Sequence, residues 1–174
     1  MRIIRPWFLM IVLCVVILSC KTSNEKLSEK IKVLEKELVS PGKPIDKAKS
    51  AELVRNYEAF AAQYPSDTLT PRYLQKAGEI MMNTGNAMRA IEFFDRVCND
   101  YTQYRNAPEC LFMKGFVYET LLNNLDMARQ TYQKFLKLYP RNDFADDAQA
   151  MLNNLGKSPE ALIREFEAKN TGAK

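Results

Sequence analysis

Residues 107–140, APECLFMKGFVYETLLNNLDMARQTYQKFLKLYP, contain the pattern that decides the fold. In the second half of this stretch, Ala128, Tyr132 and Phe135 follow one another at helical spacing, and Pro140 comes shortly after them. Residues three and four apart lie on one face of a helix, and proline is common where a helix ends. The stretch therefore predicts a helix with one apolar stripe, preceded by another helix that contains Gly115.

The same pattern occurs elsewhere in the chain. Residues 53–65 carry Leu-x3-Tyr-x2-Phe-x4-Pro, and residues 90–102 carry Ala-x3-Phe-x2-Val-x4-Thr. Ahead of the stripes, residues 70–78 (TPRYLQKAG) align with residues 107–115 (APECLFMKG), which places their glycines 37 residues apart. A repeated helix pair buries its apolar face only by stacking on its neighbours. The sequence therefore predicts an all-α stack of helix-turn-helix units.

These residues resemble the tetratricopeptide repeat (TPR), a pair of antiparallel helices. Its first helix carries Leu, a small residue, Gly and an aromatic residue, and its second carries Ala, an aromatic residue and Pro. The matching residues are Leu74, Ala77, Gly78, Ala90 and Phe94 in one unit, and Leu111, Gly115, Tyr118, Ala128, Tyr132 and Pro140 in the next. Lys114 stands where a small residue is usual, Thr102 replaces the closing proline, and the later unit has one extra residue. The resemblance implies a TPR-like repeat solenoid, and we expect this domain at residues 46–170.

The start of the chain has the features of an export signal. Arginines at positions 2 and 5 precede an apolar run, residues 7–18, that is shorter than the ~20 residues of a membrane-spanning helix. Residues 17–20 (ILSC) resemble the lipobox of bacterial lipoproteins, which implies cleavage after residue 19 and lipidation of Cys20. We expect a lipoprotein signal peptide at residues 1–19. The alternative is an uncleaved N-terminal anchor with an incidental cysteine.

Residues 20–45 are predicted to hold the lipidated cysteine, a tether and a short amphipathic or coiled-coil helix. Leu27, Ile31, Leu34 and Leu38 follow one another at helical spacing among many Lys and Glu residues. They form either a coiled-coil seam, through which the protein homo-oligomerises by residues 26–38, or a helix packed on the stack. The apolar pattern spans fewer than two full heptads, which favours the packed or tethering helix.

Composition excludes several functions. The chain has no histidine, the commonest general base and metal ligand, and no glycine-rich phosphate loop. We therefore expect a protein that is not an enzyme and that has no cofactor and no metal site. A role as a carrier of small ligands is disfavoured for the same reason. Removing the two signal-peptide arginines lowers the formal net charge from +4 to +2, which gives no electrostatic basis for binding nucleic acid.

Cys98 and Cys110 are the cysteines that remain once the signal peptide and the lipidated residue are set aside. In the repeat register they fall on adjacent helices, and an exported protein can form disulfides. They are either bridged or small apolar core residues. A reactive thiol is disfavoured because no cationic neighbour is evident.

Stacks of helix pairs bind segments of other proteins in a groove lined by the first helices. The resemblance implies groove positions at Arg72, Gln75, Glu79, Met82, Glu109, Phe112, Phe116 and Glu119. Phe112 and Phe116 lie one turn apart between carboxylates, which predicts an apolar anchor with a polar rim. Packing of both rings against the neighbouring helix is the alternative.

The sequence thus predicts a membrane-anchored scaffold or adaptor of the bacterial cell envelope with a protein partner. It resembles the repeat-bearing lipoprotein of the outer-membrane β-barrel assembly machine and the Tol-associated coordinator of the periplasm. Lys21 follows the lipidated residue where an acidic residue would imply inner-membrane retention, so we expect the outer membrane, facing the periplasm. The inner membrane and the cell surface are the alternatives. A structural spacer without a groove ligand is the competing function.

Overall fold

The computed structural model describes residues 23–38 and 46–171. They form helices and no strand, which confirms the predicted all-α fold: α1 (Ser23–Leu38), α2 (Lys47–Gln63), α3 (Thr70–Asn83), α4 (Ala87–Asp100), α5 (Ala107–Thr120), α6 (Leu125–Leu138), α7 (Ala145–Asn154) and α8 (Pro159–Thr171). The predicted signal peptide, Cys20 and Lys21 lie outside the described residues. The predicted domain bounds stay predictions.

The chain divides into two compact units, Met1–Asn56 and Tyr57–Lys174. In the first unit, ion pairs join α1 to the beginning of α2: Lys30 to Glu52 at 3.5 Å and Lys49 to Glu37 at 2.8 Å. Ile31 of α1 is fully buried. Helix α1 therefore has a packed side, and oligomerisation through residues 26–38 stays a prediction.

The second unit is built around the predicted apolar stripes. The residues of these stripes are at most 1 % exposed: Tyr57 and Phe60 on α2, Ala90, Phe94 and Val97 on α4, and Ala128, Tyr132 and Phe135 on α6. Each helix from α3 to α6 packs on the helix that follows it. Burying one large apolar side chain contributes roughly 1.5–3 kcal/mol, so the aromatic residues of these stripes stabilise the fold substantially.

Helices α3 and α5, the first helices of two successive repeats, begin alike. Each has proline within its first turn, where the missing backbone N–H removes no hydrogen bond of the helix. Each also carries the glycine that the repeat requires. A Cβ atom on Gly78 would lie 2.6 Å from Cε1 of Phe94, and one on Gly115 would lie 2.6 Å from Cε1 of Tyr132. Both glycines therefore leave space for the aromatic ring of the second helix in the same repeat, as the predicted register requires.

Three turns of the same construction join each second helix to the next first helix. In the first of them, the amide of Asp67 donates to the carbonyl of Tyr64 at 3.1 Å, and the turns after α4 and α6 repeat this bond. The side chains of Asp67 and Asn142 also accept a bond from the amide two residues later, at 2.9 and 3.0 Å. Tyr104 occupies the equivalent position in the middle turn.

Candidate functional site: the first-helix face

The groove positions lie on the first helices, and side-chain contacts join one first helix to the next. Gln75 of α3 donates to Glu109 of α5, and Phe112 of α5 stacks on Phe144, which directly precedes α7. We call the accessible part of this surface the first-helix face. It consists of Arg72, which is exposed, and five half-buried residues, Glu79, Met82, Glu109, Phe116 and Glu119.

Gln75 is the centre of a polar cluster beneath the first-helix face. Its side-chain Nε2 donates to Glu79 at 2.9 Å and to Glu109 at 3.3 Å. Its Oε1 accepts from the hydroxyl of Tyr104 at 2.9 Å and from Nδ2 of Asn106 at 3.2 Å. These bonds use the full capacity of the amide, and the side chain is 7 % exposed. Gln75 therefore lies beneath the accessible surface and positions the two carboxylates from below, and its contact with a partner stays a prediction.

The two carboxylates make the centre of the face acidic. Burial is the largest influence on Glu79 and raises the pKa of its carboxyl, while the hydrogen bond from Gln75 opposes this effect. The charge of Glu109 raises the pKa of Glu79 further, and Lys76 lowers it. Holding two like charges together in a partly desolvated place is unfavourable. A cationic group of a partner would relieve that cost.

Replacing the charge of Glu79 tests this electrostatic account. We expect Glu79→Gln to raise the free energy of unfolding at pH 7 by less than about 1 kcal/mol, because solvent screens a carboxylate that is still half exposed. Since the folded-state pKa lies above the ordinary 4.5, the folded wild type gains stability as the pH falls from above the raised pKa to below 4.5. The variant should lose that gain. Urea unfolding from pH 4 to pH 7 measures both effects, and a variant less stable than wild type at pH 7 would contradict the account.

Phe112 does not belong to the accessible surface. It is 8 % exposed, and its ring centroid lies 5.1 Å from that of Phe144 and 5.8 Å from those of Tyr132 and Phe135. This ring therefore matches the alternative in which it packs against a neighbouring helix, because the residue that precedes α7 covers it, and its contact with a partner stays a prediction. Phe116, one turn later, is half-buried and remains on the first-helix face.

Glu119 completes the face and also holds the core in place. Its Oε2 accepts a 2.9 Å hydrogen bond from the hydroxyl of Tyr132, whose pKa is raised first by burial and then by this bond. Glu119 therefore fixes the ring that packs against Gly115. Contact of Glu119 and the other face residues with a partner stays a prediction.

Both remaining cysteines are free thiols in this structure. Cys110 is fully buried, and Cys98 is half-buried with its sulfur 3.7 Å from the carbonyl oxygen of Ala107. Burial raises the pKa of Cys98 to about 11 and that of Cys110 further. Their positions match the core-residue alternative, and raised pKa values make poor nucleophiles.

The fold and this face define a TPR-like helical repeat protein, a class of scaffold for protein–protein interactions that is typically non-catalytic. Residues 109–142 match the family model of the tetratricopeptide repeat. The match covers most of α5, all of α6 and the first residues of the turn after α6. No curated protein matches the chain. Among residues 23–38 and 46–171, no helix has the length and apolar character needed to cross a membrane.

Proposed function

We propose that this protein is a lipid-anchored interaction scaffold of the bacterial cell envelope, tethered at Cys20 and holding a protein partner on the first-helix face. The observation that carries the proposal is the bridging of two repeats by Gln75, whose amide fixes Glu79 and Glu109 side by side. Side chains held by buried partners lose little freedom on binding. The face is therefore a preformed surface that extends over more than one repeat.

The chemistry of the face favours a particular kind of partner segment. Its apolar residues, Met82 and Phe116, are half-buried, and its carboxylates are Glu79, Glu109 and Glu119. A helical or extended segment with an apolar side chain flanked by Lys or Arg complements this arrangement.

The anchor and the location rest on the sequence. Lipid attachment at Cys20 would hold the scaffold at the membrane, because two or more acyl chains give stable attachment whereas one is marginal. Lys21 favours transfer to the outer membrane, with the helical units in the periplasm, and a role in outer-membrane assembly or maintenance. A structural spacer that binds nothing on its first helices is the competing function.

Fractionation of a Cys20→Ala variant tests the anchor. We expect the variant to remain an uncleaved or mislocalised precursor that incorporates no labelled fatty acid, because Cys20 is the residue placed to accept the lipid. Cys14→Ala is the matched control and should be processed normally, since Cys14 lies within the predicted signal peptide. Normal processing and membrane retention of Cys20→Ala would overturn the anchor. Wild-type protein in the inner membrane would overturn the outer-membrane location.

Affinity capture from detergent-solubilised membranes tests the scaffold. We expect the mature chain to retain a stoichiometric protein partner. Met82→Ala combined with Phe116→Glu should lose it while still unfolding cooperatively at a melting temperature above that of Phe112→Ala. Gln133→Ala, on the exposed side of α6, is the control that should keep the partner. Absence of a partner, or equal capture by all three proteins, would favour the spacer.

A further inference from the structure

The turns between repeats form a second surface, whose lining residues differ from those of the first-helix face. An open cleft of about 380 Å³ separates the turn after α2 from the turn after α4. The side chains that give it its chemistry are those of Pro65, Asp67, Pro71, Asp100, Tyr101 and Tyr104. Two proline rings and two tyrosine rings thus face one space.

The turn that forms one wall departs from the repeat. In the other two turns, Asp67 and Asn142 accept a hydrogen bond from the amide two residues later, which stabilises the turn. Tyr104 stands at this position in the middle turn, and a phenol at the end of a ring cannot make this short-range bond. The middle turn also has Thr102 where the others have proline. Tyr104 instead uses its hydroxyl to hold Gln75, and its side chain lines the cleft.

Both tyrosine side chains are held in place by their hydroxyl groups. The hydroxyl of Tyr101 donates to the carbonyl oxygen of Pro65 at 2.9 Å, across the cleft. The hydroxyl of Tyr104 donates to Oε1 of Gln75, also at 2.9 Å. The rings therefore do not need to be ordered when a ligand enters, which lowers the entropic cost of binding.

The lining determines which ligand fits. Grooves lined by aromatic rings bind proline-rich segments, because such segments already adopt the extended polyproline helix. The cleft has room for about one turn of that helix, three residues. Asp67 and Asp100 line it and no Lys or Arg does, although Arg72 and Arg96 lie close enough to act electrostatically on the tyrosines.

We propose that this cleft binds a proline-rich segment of another protein that carries Lys or Arg next to its prolines. The rings contact the prolines, and Asp100, at the exposed end of α4, attracts the cation. This site is separate from the partner site on the first-helix face.

Fluorescence anisotropy with labelled peptides tests the proposal on the mature lipoprotein in detergent. The probe has five consecutive prolines with an arginine at each end, and its control replaces the prolines by alternating glycine and serine. We expect the proline probe to bind and Tyr101→Ala to weaken it at least about tenfold. Tyr101→Phe, which keeps the ring, should bind within about threefold of wild type, and Asp100→Lys should bind more weakly.

Thr102→Arg is a second test in case Tyr101→Ala fails to fold. Thr102 is exposed, so an arginine side chain there can block the cleft without removing a packing contact. It should abolish binding, whereas Gln133→Arg on α6 should not. Three results would each overturn the proposal. The glycine–serine peptide could bind as tightly as the proline probe, the proline probe could fail to bind at millimolar concentration, or its binding could be unchanged by Tyr101→Ala and Thr102→Arg. Loss of the probe in Met82→Ala with Phe116→Glu alone would place the segment on the first-helix face instead, which overturns the cleft and leaves the proposed function standing.

Discussion

Phe112→Ala is expected to lower the free energy of unfolding by about 3–5 kcal/mol, the cost typical of truncating a buried phenylalanine. The ring is 8 % exposed and packs against Tyr132, Phe135 and Phe144. Its removal leaves a cavity where α5, α6 and the start of α7 meet. Urea unfolding monitored by circular dichroism measures the loss.

Phe116→Ala is the matched control for this prediction, because it removes the same side chain from the same helix one turn later. Phe116 is only half-buried, so its truncation should cost less than half as much as that of Phe112. Equal losses in the two variants would mean that both rings belong to the core, and Met82 would then be the only apolar residue left on the first-helix face.

Gly115→Leu is expected to destabilise the protein by about 1–3 kcal/mol or more, the range for overpacking a core. Even a Cβ atom at this position would lie 2.6 Å from the Tyr132 ring. That ring is 0 % exposed and is tied to Glu119 by its hydroxyl group, so it has little room to move. Thermal unfolding of the variant beside wild type measures the effect.

Ala150→Leu controls for the substitution itself, because Ala150 lies on the exposed side of α7. This variant should melt close to wild type, and Gly115→Ala should melt between wild type and Gly115→Leu. A Gly115→Leu protein that melts like wild type would show that Gly115 is not at the helix crossing.

The fold could be predicted from the sequence because its determinants are local and repeated. The spacing of Ala128, Tyr132 and Phe135 is that of one helix face, and these residues are fully buried. Gly115 was recognisable because a helix pair needs a residue without a side chain at its crossing. Each of these features depends on residues within one repeat, and its recurrence in the next repeat supports the prediction.

Which first-helix residues are buried could not be predicted from the sequence, because their burial depends on contacts with the following repeat. Phe112 and Phe116 are indistinguishable by spacing, and the difference comes from Phe144, which the next turn brings onto Phe112. Gln75 is buried by bonds from Tyr104 and Asn106. An alignment of the three turn sequences would have identified Tyr104 as unusual, since the equivalent residues in the other two turns have short polar side chains.

Site-specific photocross-linking in intact membranes tests the central claim, that the first-helix face of an anchored protein holds a partner. A photoreactive phenylalanine analogue is placed at position 116, and at position 133 on the exposed side of α6 as the control. We predict one adduct of defined mass from position 116, dependent on Cys20, and none from position 133. No adduct from position 116, or the same adduct from both positions, would contradict the claim and leave a spacer lipoprotein as the better account.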